Sequence, residues 1–269
     1  MSMDLRVGFI GGGAMAEAIV AGIVQGTVSP SDIYVSDHKE ARCQQLAEQY
    51  GIHASVGADS FVGDVDVLFL AVKPQVADKA IAEVKDKVGS KTLILSIVAG
   101  LMLDVLEASF VEQPVVRIMP NTPLSVGAGM SAFACGTRAG RAEAAVVSEL
   151  LSAAGRAVEV AESAMDAVTG LSGSGPAYVF LLIDALSDGG VAAGLKRDAA
   201  TLLAAQTVYG AAKMVLETGK HPDVLRDQVT SPAGTTIAGV RVLENRGLRG
   251  ALIDAVLAAT EKSRELGKK

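Results

Sequence analysis

The stretch RVGFIGGGAMA, residues 6–16, decides the fold. Arg6–Ile10 is a mostly apolar run of strand-forming residues, the pattern of a strand buried on both faces. Gly11-Gly12-Gly13 breaks it, and apolar residues at helical spacing then run from Ala14 to about Gln25. Strand, glycine turn and helix in that order open a βαβ unit. Gly11, Gly13 and Ala16 fall on the spacing GxGxxG/A. The first glycine permits a tight turn, the second lets a pyrophosphate approach the backbone, and the small last residue lets helix and strand pack closely. The free N–H groups that open such a helix, at Ala14 and Met15, attract an anion. Gly11, Gly13, Ala14 and Met15 are therefore read as a dinucleotide cradle, against the plainer reading of a connecting turn.

Downstream, apolar runs predict further strands at Ile33–Asp37, Val65–Val72, Thr92–Ile97 and Val115–Met119, with a last one at Gly129–Ala134. Helical stretches at Glu40–Tyr50 and Val76–Lys87 separate them, which predicts a parallel sheet with helices on both faces. After about Leu150 the chain turns rich in Ala and Leu. Helices are expected at Met165–Leu171, Ala177–Ala193, Arg197–Glu217, Asp223–Val229, Thr236–Glu244 and Leu248–Leu266. Pro176 and Pro222 suit first helical turns, and Gly194 and Gly219 suit helix ends. The fold class is thus α/β: a Rossmann-type doubly wound domain over residues 1–162 and an all-α domain over 163–269. The run Ala177–Ile183 is apolar all round a helix and needs burial on every side. A bundle of this size has few such places, so a homodimer through the helical domain is expected.

The chain has 269 residues, half of them hydrophobic, and 24 basic against 30 acidic side chains give a net charge of −6. No block of Lys and Arg stands out, which argues against nucleic-acid or anionic-membrane binding. Cys43 and Cys135 are far apart and in no metal-binding or redox spacing, and they fit a reducing cytoplasm. His38, His53 and His221 show no ligand pairing, so no metal is expected. Uncharged apolar runs fall short of the roughly 20 residues that cross a bilayer. The end of the chain, with Glu261, Lys262, Arg264, Glu265, Lys268 and Lys269, reads as a solvated tail.

Ligands of open α/β sheets bind at the carboxyl ends of the strands. Three segments there are candidates for cofactor contact: Ala71-Val72-Lys73-Pro74, the small-residue run Ile97-Val98-Ala99, and Ser36-Asp37-His38-Lys39 after the second strand. In the last, Asp37 suits the ribose of NAD and repels a 2′-phosphate. Ser36, His38, Lys39 and Arg42 offer that phosphate donors and charge. The balance is read as NADP, with NAD also accepted. Asn121, between Pro120 and Pro123, can orient a ligand or satisfy its own turn. Gly170–Gly175 misses the register of a serine-hydrolase elbow and reads as a close-packed hinge.

Five segments together resemble one family: GFIGGGAMAEAI (8–19), LFLAVKPQ (68–75), RIMPNTP (117–123), LSGSGPAYVF (171–180) and AAKMVLETGKHPDVLRDQVTSPAGTTIAGVRVLE (211–244). The chain is similar to the pyrroline-5-carboxylate reductases over nearly its whole length. The resemblance implies reduction of the imine of 1-pyrroline-5-carboxylate to L-proline by NAD(P)H, and dimers that can assemble further. It implies that Ser231, Gly234, Thr235 and Thr236 hold the substrate, with Asn121 assigned to the same role and the Thr236 hydroxyl at the ring nitrogen. Physical chemistry agrees: Gly234 lets amides converge, and Thr235-Thr236 open a helix whose N–H groups suit a carboxylate. Asp37 departs from the small hydroxyl residue that many relatives carry. Two rival readings are a β-hydroxyacid dehydrogenase, with Lys213 as its base, and a nucleotide sensor without turnover. The Ser231–Thr236 loop argues against both.

Overall fold

The computed structural model describes residues 3–267, so Lys268 and Lys269 of the expected tail lie outside the described residues. Eight strands form one sheet: β1 (Val7–Ile10), β2 (Ile33–Ser36), β3 (His53–Ser55), β4 (Val67–Leu70), β5 (Leu93–Ser96), β6 (Val115–Pro120), β7 (Gly129–Cys135) and β8 (Gly155–Glu159). Their order is β3-β2-β1-β4-β5-β6-β7-β8, so the chain reverses direction across the sheet between β1 and β4. Successive side chains of a strand point to opposite faces, and here both faces are covered. Val7, Phe9, Val67, Phe69 and Leu95 pack on one face against Ile19, Val20 and Ile23 of α1 (Ala14–Ile23) and Val147, Leu150 and Leu151 of α5 (Arg141–Ser152). Ile10, Leu68, Leu70 and Ile94 pack on the other against Ile81 and Val84 of α3 (Ala77–Val84) and Leu106 of α4 (Leu103–Ser109). Phe9 and Phe69 are cross-strand partners whose rings stack with centroids 4.5 Å apart.

The sheet differs from the sequence reading in three places. It is mixed, because β7 runs antiparallel to β6. Only a short 3₁₀ turn, Thr122–Val126, lies between them, and a parallel return needs a crossover of a dozen or more residues. Nor is β7 the last strand, since β8 pairs with it in parallel after α5. Edge strand β3, three residues long, has too little apolar content to stand out.

The chain divides into two compact units. One runs to Gly173 and resumes at Ala259, and the other is Ser174–Ala258. By contacts, α6 (Met165–Val168) packs within the first of these units. Met165 is buried in the second core, and Ser263 donates to Asp166 at 2.7 Å. A π-helical turn, Thr169–Gly173, follows α6 where a close-packed hinge is expected. A Cβ on Gly173 would lie 2.7 Å from Met119 Cε.

The second unit holds α7 (Gly175–Ala192), α8 (Arg197–Thr218), α9 (Pro222–Gln228), α10 (Thr235–Asn245) and the first part of α11 (Leu248–Gly267). Pro176 and Pro222 stand in first turns, and Gly194 and Gly219 end helices at φ of +100° and +62°. The α7–α8 pair is pinned by a hydroxyl contact of 2.7 Å between Ser187 and Thr201, with Arg197 donating to Ser187 at 3.2 Å. By length and composition α8 is long and apolar enough to cross a membrane, which the uncharged runs in the sequence do not suggest. It carries Asp198, Lys213 and Glu217, the last two paired at 3.6 Å.

Candidate active site

The cradle forms because β1 ends under geometric constraint. Gly11 has φ of +104° and donates its N–H to Ser36 O at 2.7 Å, so the turn is tied to the end of β2. A Cβ here would lie 2.6 Å from Ala71 O, at the end of β4. Gly11 is thus required twice, by conformation and by close approach. Gly13 is different. Its φ of −69° suits any residue, and a Cβ there would meet no atom within 4 Å. Nothing in the chain demands glycine at 13. What a side chain would fill is the space before the N–H groups of Ala14 and Met15, where a pyrophosphate needs to approach. Ala16, fully buried, closes the helix onto the sheet. The residues present fit a dinucleotide.

The other rim segments join this edge unequally. Ala71 donates its N–H to Ile10 O at 2.8 Å, and Ile97 donates to Leu70 O at 3.0 Å, so β1, β4 and β5 end side by side. Val72 is half-buried while Lys73, Pro74 and Ala99 are exposed. Val98 turns its side chain into the core, which leaves its backbone for ligand contact. Ser36 is buried. Asp37 lies over the glycine turn and accepts Gly12 N–H at 3.0 Å; Lys39 N–H reaches its other oxygen at 3.0 Å.

Two residues carry hydrogen bonds that the sequence does not show. Arg42 is not held out for an anion: Nε donates to Gly12 O at 2.7 Å, and its guanidinium also engages Glu17 and Gln45. Asn121 ties its own unit together, its Oδ1 accepting Met130 N–H at 2.8 Å and its Nδ2 donating to Ser172 O at 3.2 Å. Of its two sequence readings, the structural one describes these contacts. Sequence reasoning passed over Tyr50, whose hydroxyl donates to Glu17 at 3.1 Å; burial first, and then Glu17, push its ionisation up. Cys135 is pushed up to about 11, mainly by burial and secondarily by Glu159, so it stays a thiol rather than a nucleophile.

In the helical unit, Ser231–Gly234 leads into α10. Ala233 has φ of +56°, and among the described residues no other non-glycine residue has a positive φ. That conformation costs about 1–2 kcal/mol for a residue with a Cβ. Strain of this kind collects at functional sites, where the surroundings hold it in place. Gly234 donates to Ser231 O at 3.1 Å, and a Cβ on it would overlap Ser231 Oγ. The first intrahelical bond is Ala238 N–H to Gly234 O, so the N–H groups of Thr235, Thr236 and Ile237 are left without acceptors among the described residues. Thr236 is half-exposed and Ser231 and Thr235 are exposed.

The glycine turn on a doubly wound sheet is that of a dinucleotide-binding oxidoreductase domain, and the helical unit adds a strained entry to a helix whose first N–H groups are unengaged. Comparison with known proteins is more specific. Residues 162–266 match the family model described as pyrroline-5-carboxylate reductase dimerisation, and residues 6–100 match NADP oxidoreductase coenzyme F420-dependent. The pyrroline-5-carboxylate reductase of Arabidopsis thaliana is 47% identical over 98% of this chain and 96% of its own length. A solved pyrroline-5-carboxylate reductase from Coxiella burnetii superposes with a TM-score of 0.93 at 34% identity, covering 98% of this chain and 99% of its own. The pyrroline carboxylate reductase of Plasmodium falciparum, solved with NADP bound, gives 0.86 at 29% identity over 99% of this chain and 100% of its own. The chain belongs to the pyrroline-5-carboxylate reductase family.

Proposed function

We propose that the chain reduces the ring C=N bond of 1-pyrroline-5-carboxylate to L-proline with NADPH, NADH also serving. The bound dinucleotide supplies a hydride to the ring carbon. A protonated ring imine is already electrophilic, so the protein's work is placement and exclusion of water. Gly11, Gly13, Ala14 and Met15 hold the pyrophosphate, and Ser36, Asp37 and Lys39 meet the adenosine ribose. Residues Ala71–Pro74 meet the cofactor at its phosphate or ribose, and Ile97–Ala99 line the nicotinamide side. Ser231, Gly234 and the amides of Thr235 and Thr236 take the carboxylate, and the Thr236 hydroxyl orients the ring nitrogen. Asn121, which also holds the β6–β7 turn, is assigned to the substrate with them.

The observation that carries this reading is the strained Ala233 directly before a helix whose first N–H groups are unengaged. No metal takes part in the scheme. Residues 1–162 act as the cofactor domain and 163–269 as the substrate and dimerisation domain. Association through the latter gives a homodimer, able to assemble further, in the cytoplasm. The exposed apolar side chains of α7 support that partner.

The test is loss of NADPH absorbance on adding 1-pyrroline-5-carboxylate, set beside a 3-hydroxy acid with NADP⁺. Reduction of the imine and no oxidation of the alcohol is the expected result, and the reverse pattern overturns it. Thr236→Ala lowers kcat with cofactor affinity unchanged. Equal losses in both would remove Thr236 from the chemistry.

A further inference from the structure

We propose that Glu162 is a positioning residue for the nicotinamide half of the cofactor: its carboxylate, held by Arg117, fixes the far end of the loop that follows β5. The proposal rests on the dinucleotide reading above, in which Ile97–Ala99 line the nicotinamide side, and deepens it.

The loop joins β5 to α4 and runs over residues 97–102. Its near end is held by the sheet. Ile97 donates its N–H to Leu70 O at 3.0 Å, and Val98 donates to the hydroxyl of the fully buried Ser96 at 3.3 Å. Its apex, Ala99-Gly100, is exposed, with Gly100 at φ of +79°. Its far end leads into α4, whose first helical bond is Leu106 N–H to Met102 O, so the N–H of Leu103 needs an acceptor from elsewhere. Glu162, 59 residues downstream, supplies one: Oε1 accepts Leu103 N–H at 2.7 Å.

The same oxygen accepts Arg117 Nη1 at 3.1 Å, and Arg117 lies on β6 directly across from Ser96. The contacts close a circuit: Ser96 to Arg117 across the sheet, Arg117 to Glu162, Glu162 to Leu103, and residues 97–102 back to Ser96. A short loop closed in this way cannot tilt without breaking a charge-assisted bond in a partly enclosed place, where the Arg117 side chain is 12% and that of Glu162 26% exposed. A fixed wall for the reacting ring is what hydride transfer needs. Arg42, on α2 (Glu40–Tyr50), braces Gly12 O in the glycine turn at 2.7 Å, and Glu162 does the corresponding work at the other end of the dinucleotide.

Affinities of the full chain for NADPH and for adenosine 2′,5′-bisphosphate, which lacks the nicotinamide, separate the two halves of the cofactor, and kcat with 1-pyrroline-5-carboxylate reads hydride transfer. Glu162→Ala should lower kcat about tenfold, a part of the loss that a full ångström of misplacement causes, and weaken NADPH while the bisphosphate binds as before. Glu162→Gln, which keeps an oxygen for Leu103 N–H, should recover most of the loss. Arg117→Met should move both readouts in the same direction, and the double variant should lose less than the product of the two single losses, as coupled residues do. Arg117→Met also carries the test if Glu162→Ala does not fold. Equal weakening of NADPH and bisphosphate, or a kcat unmoved by these variants, overturns the proposal. A wild-type chain that binds neither compound would instead remove the dinucleotide reading. One that binds both without reducing the imine would remove the proposed reaction, and the two affinities would still judge Glu162.

Discussion

The two units of this chain solve the burial problem differently. In the sheet unit the core closes on itself: Val7, Phe9, Phe69 and Leu95 have no accessible surface. In the helical unit the buried residues are few and small, Ser187, Ala200 and Ala204 with Leu225, while Phe180 and Leu181 stand 64% and 72% exposed. One unit has everything its stability needs within its own residues. The other has helices whose apolar faces need a further surface, and exposed apolar area on this scale marks an association site. The Gly11–Gly13 turn sits on the self-sufficient unit and the strained Ser231–Gly234 loop on the dependent one.

Four experiments break or sharpen that contrast. The largest effect is expected from Phe180→Glu combined with Leu181→Glu, which should convert the proposed dimer to monomer in sedimentation and abolish turnover. Association that survives both charges would mean α7 is not the covered face. Next, Phe69→Ala should cost the sheet unit about 3–5 kcal/mol, read by chemical denaturation, because the cavity opens beside a stacked ring in a closed core. An equal loss from Phe180→Ala would erase the distinction between the units' own cores.

Gly234→Val should lower kcat about 10²-fold, the usual penalty for misplacing a bound reactant by about an ångström, while cofactor affinity holds. Parallel loss of cofactor binding would show that the two units do not divide the work. The smallest effect concerns Glu107, whose carboxyl is held below its ordinary 4.5 chiefly by Thr137 N–H and then by the Thr137 hydroxyl. A lowered value contributes stability above the unfolded pKa, lost as pH falls through the folded one. Glu107→Gln should therefore reduce Tm at neutral pH and leave it unchanged in strong acid. A Tm difference that persists in acid would assign the effect to packing.

What the sequence makes legible follows the same contrast. Strands β1, β4 and β5 are buried on both faces and read as continuous apolar runs. In β8, Arg156 and Glu159 sit exposed at the sheet's edge and hide the strand. The reversed direction of β7 could have been found from the short link after Pro120. Helices α7 to α11 are visible through their Ala and Leu content and their proline and glycine boundaries. At the site, Gly11 and Gly13 carry their spacing openly, and the Ser231–Thr236 loop is found by resemblance. The strain at Ala233 and the engagement of Arg42 with Glu17 are not visible, because alanine has no turn preference and a charged residue does not announce its partner. The hydrogen bonds of Asn121 to Met130 and Ser172 are likewise not visible in the sequence.

The hydroxyl contact between Ser187 and Thr201 has a consequence for how the helical unit finds its alignment. Apolar helices such as α7 and α8 offer many nearly equivalent ways to lie along each other, and apolar contact alone would tolerate sliding by a turn. A donor enclosed between them does not. Any shifted arrangement strands Ser187 away from Thr201 and Arg197, so a pair of atoms that adds little to adhesion selects one registration among many.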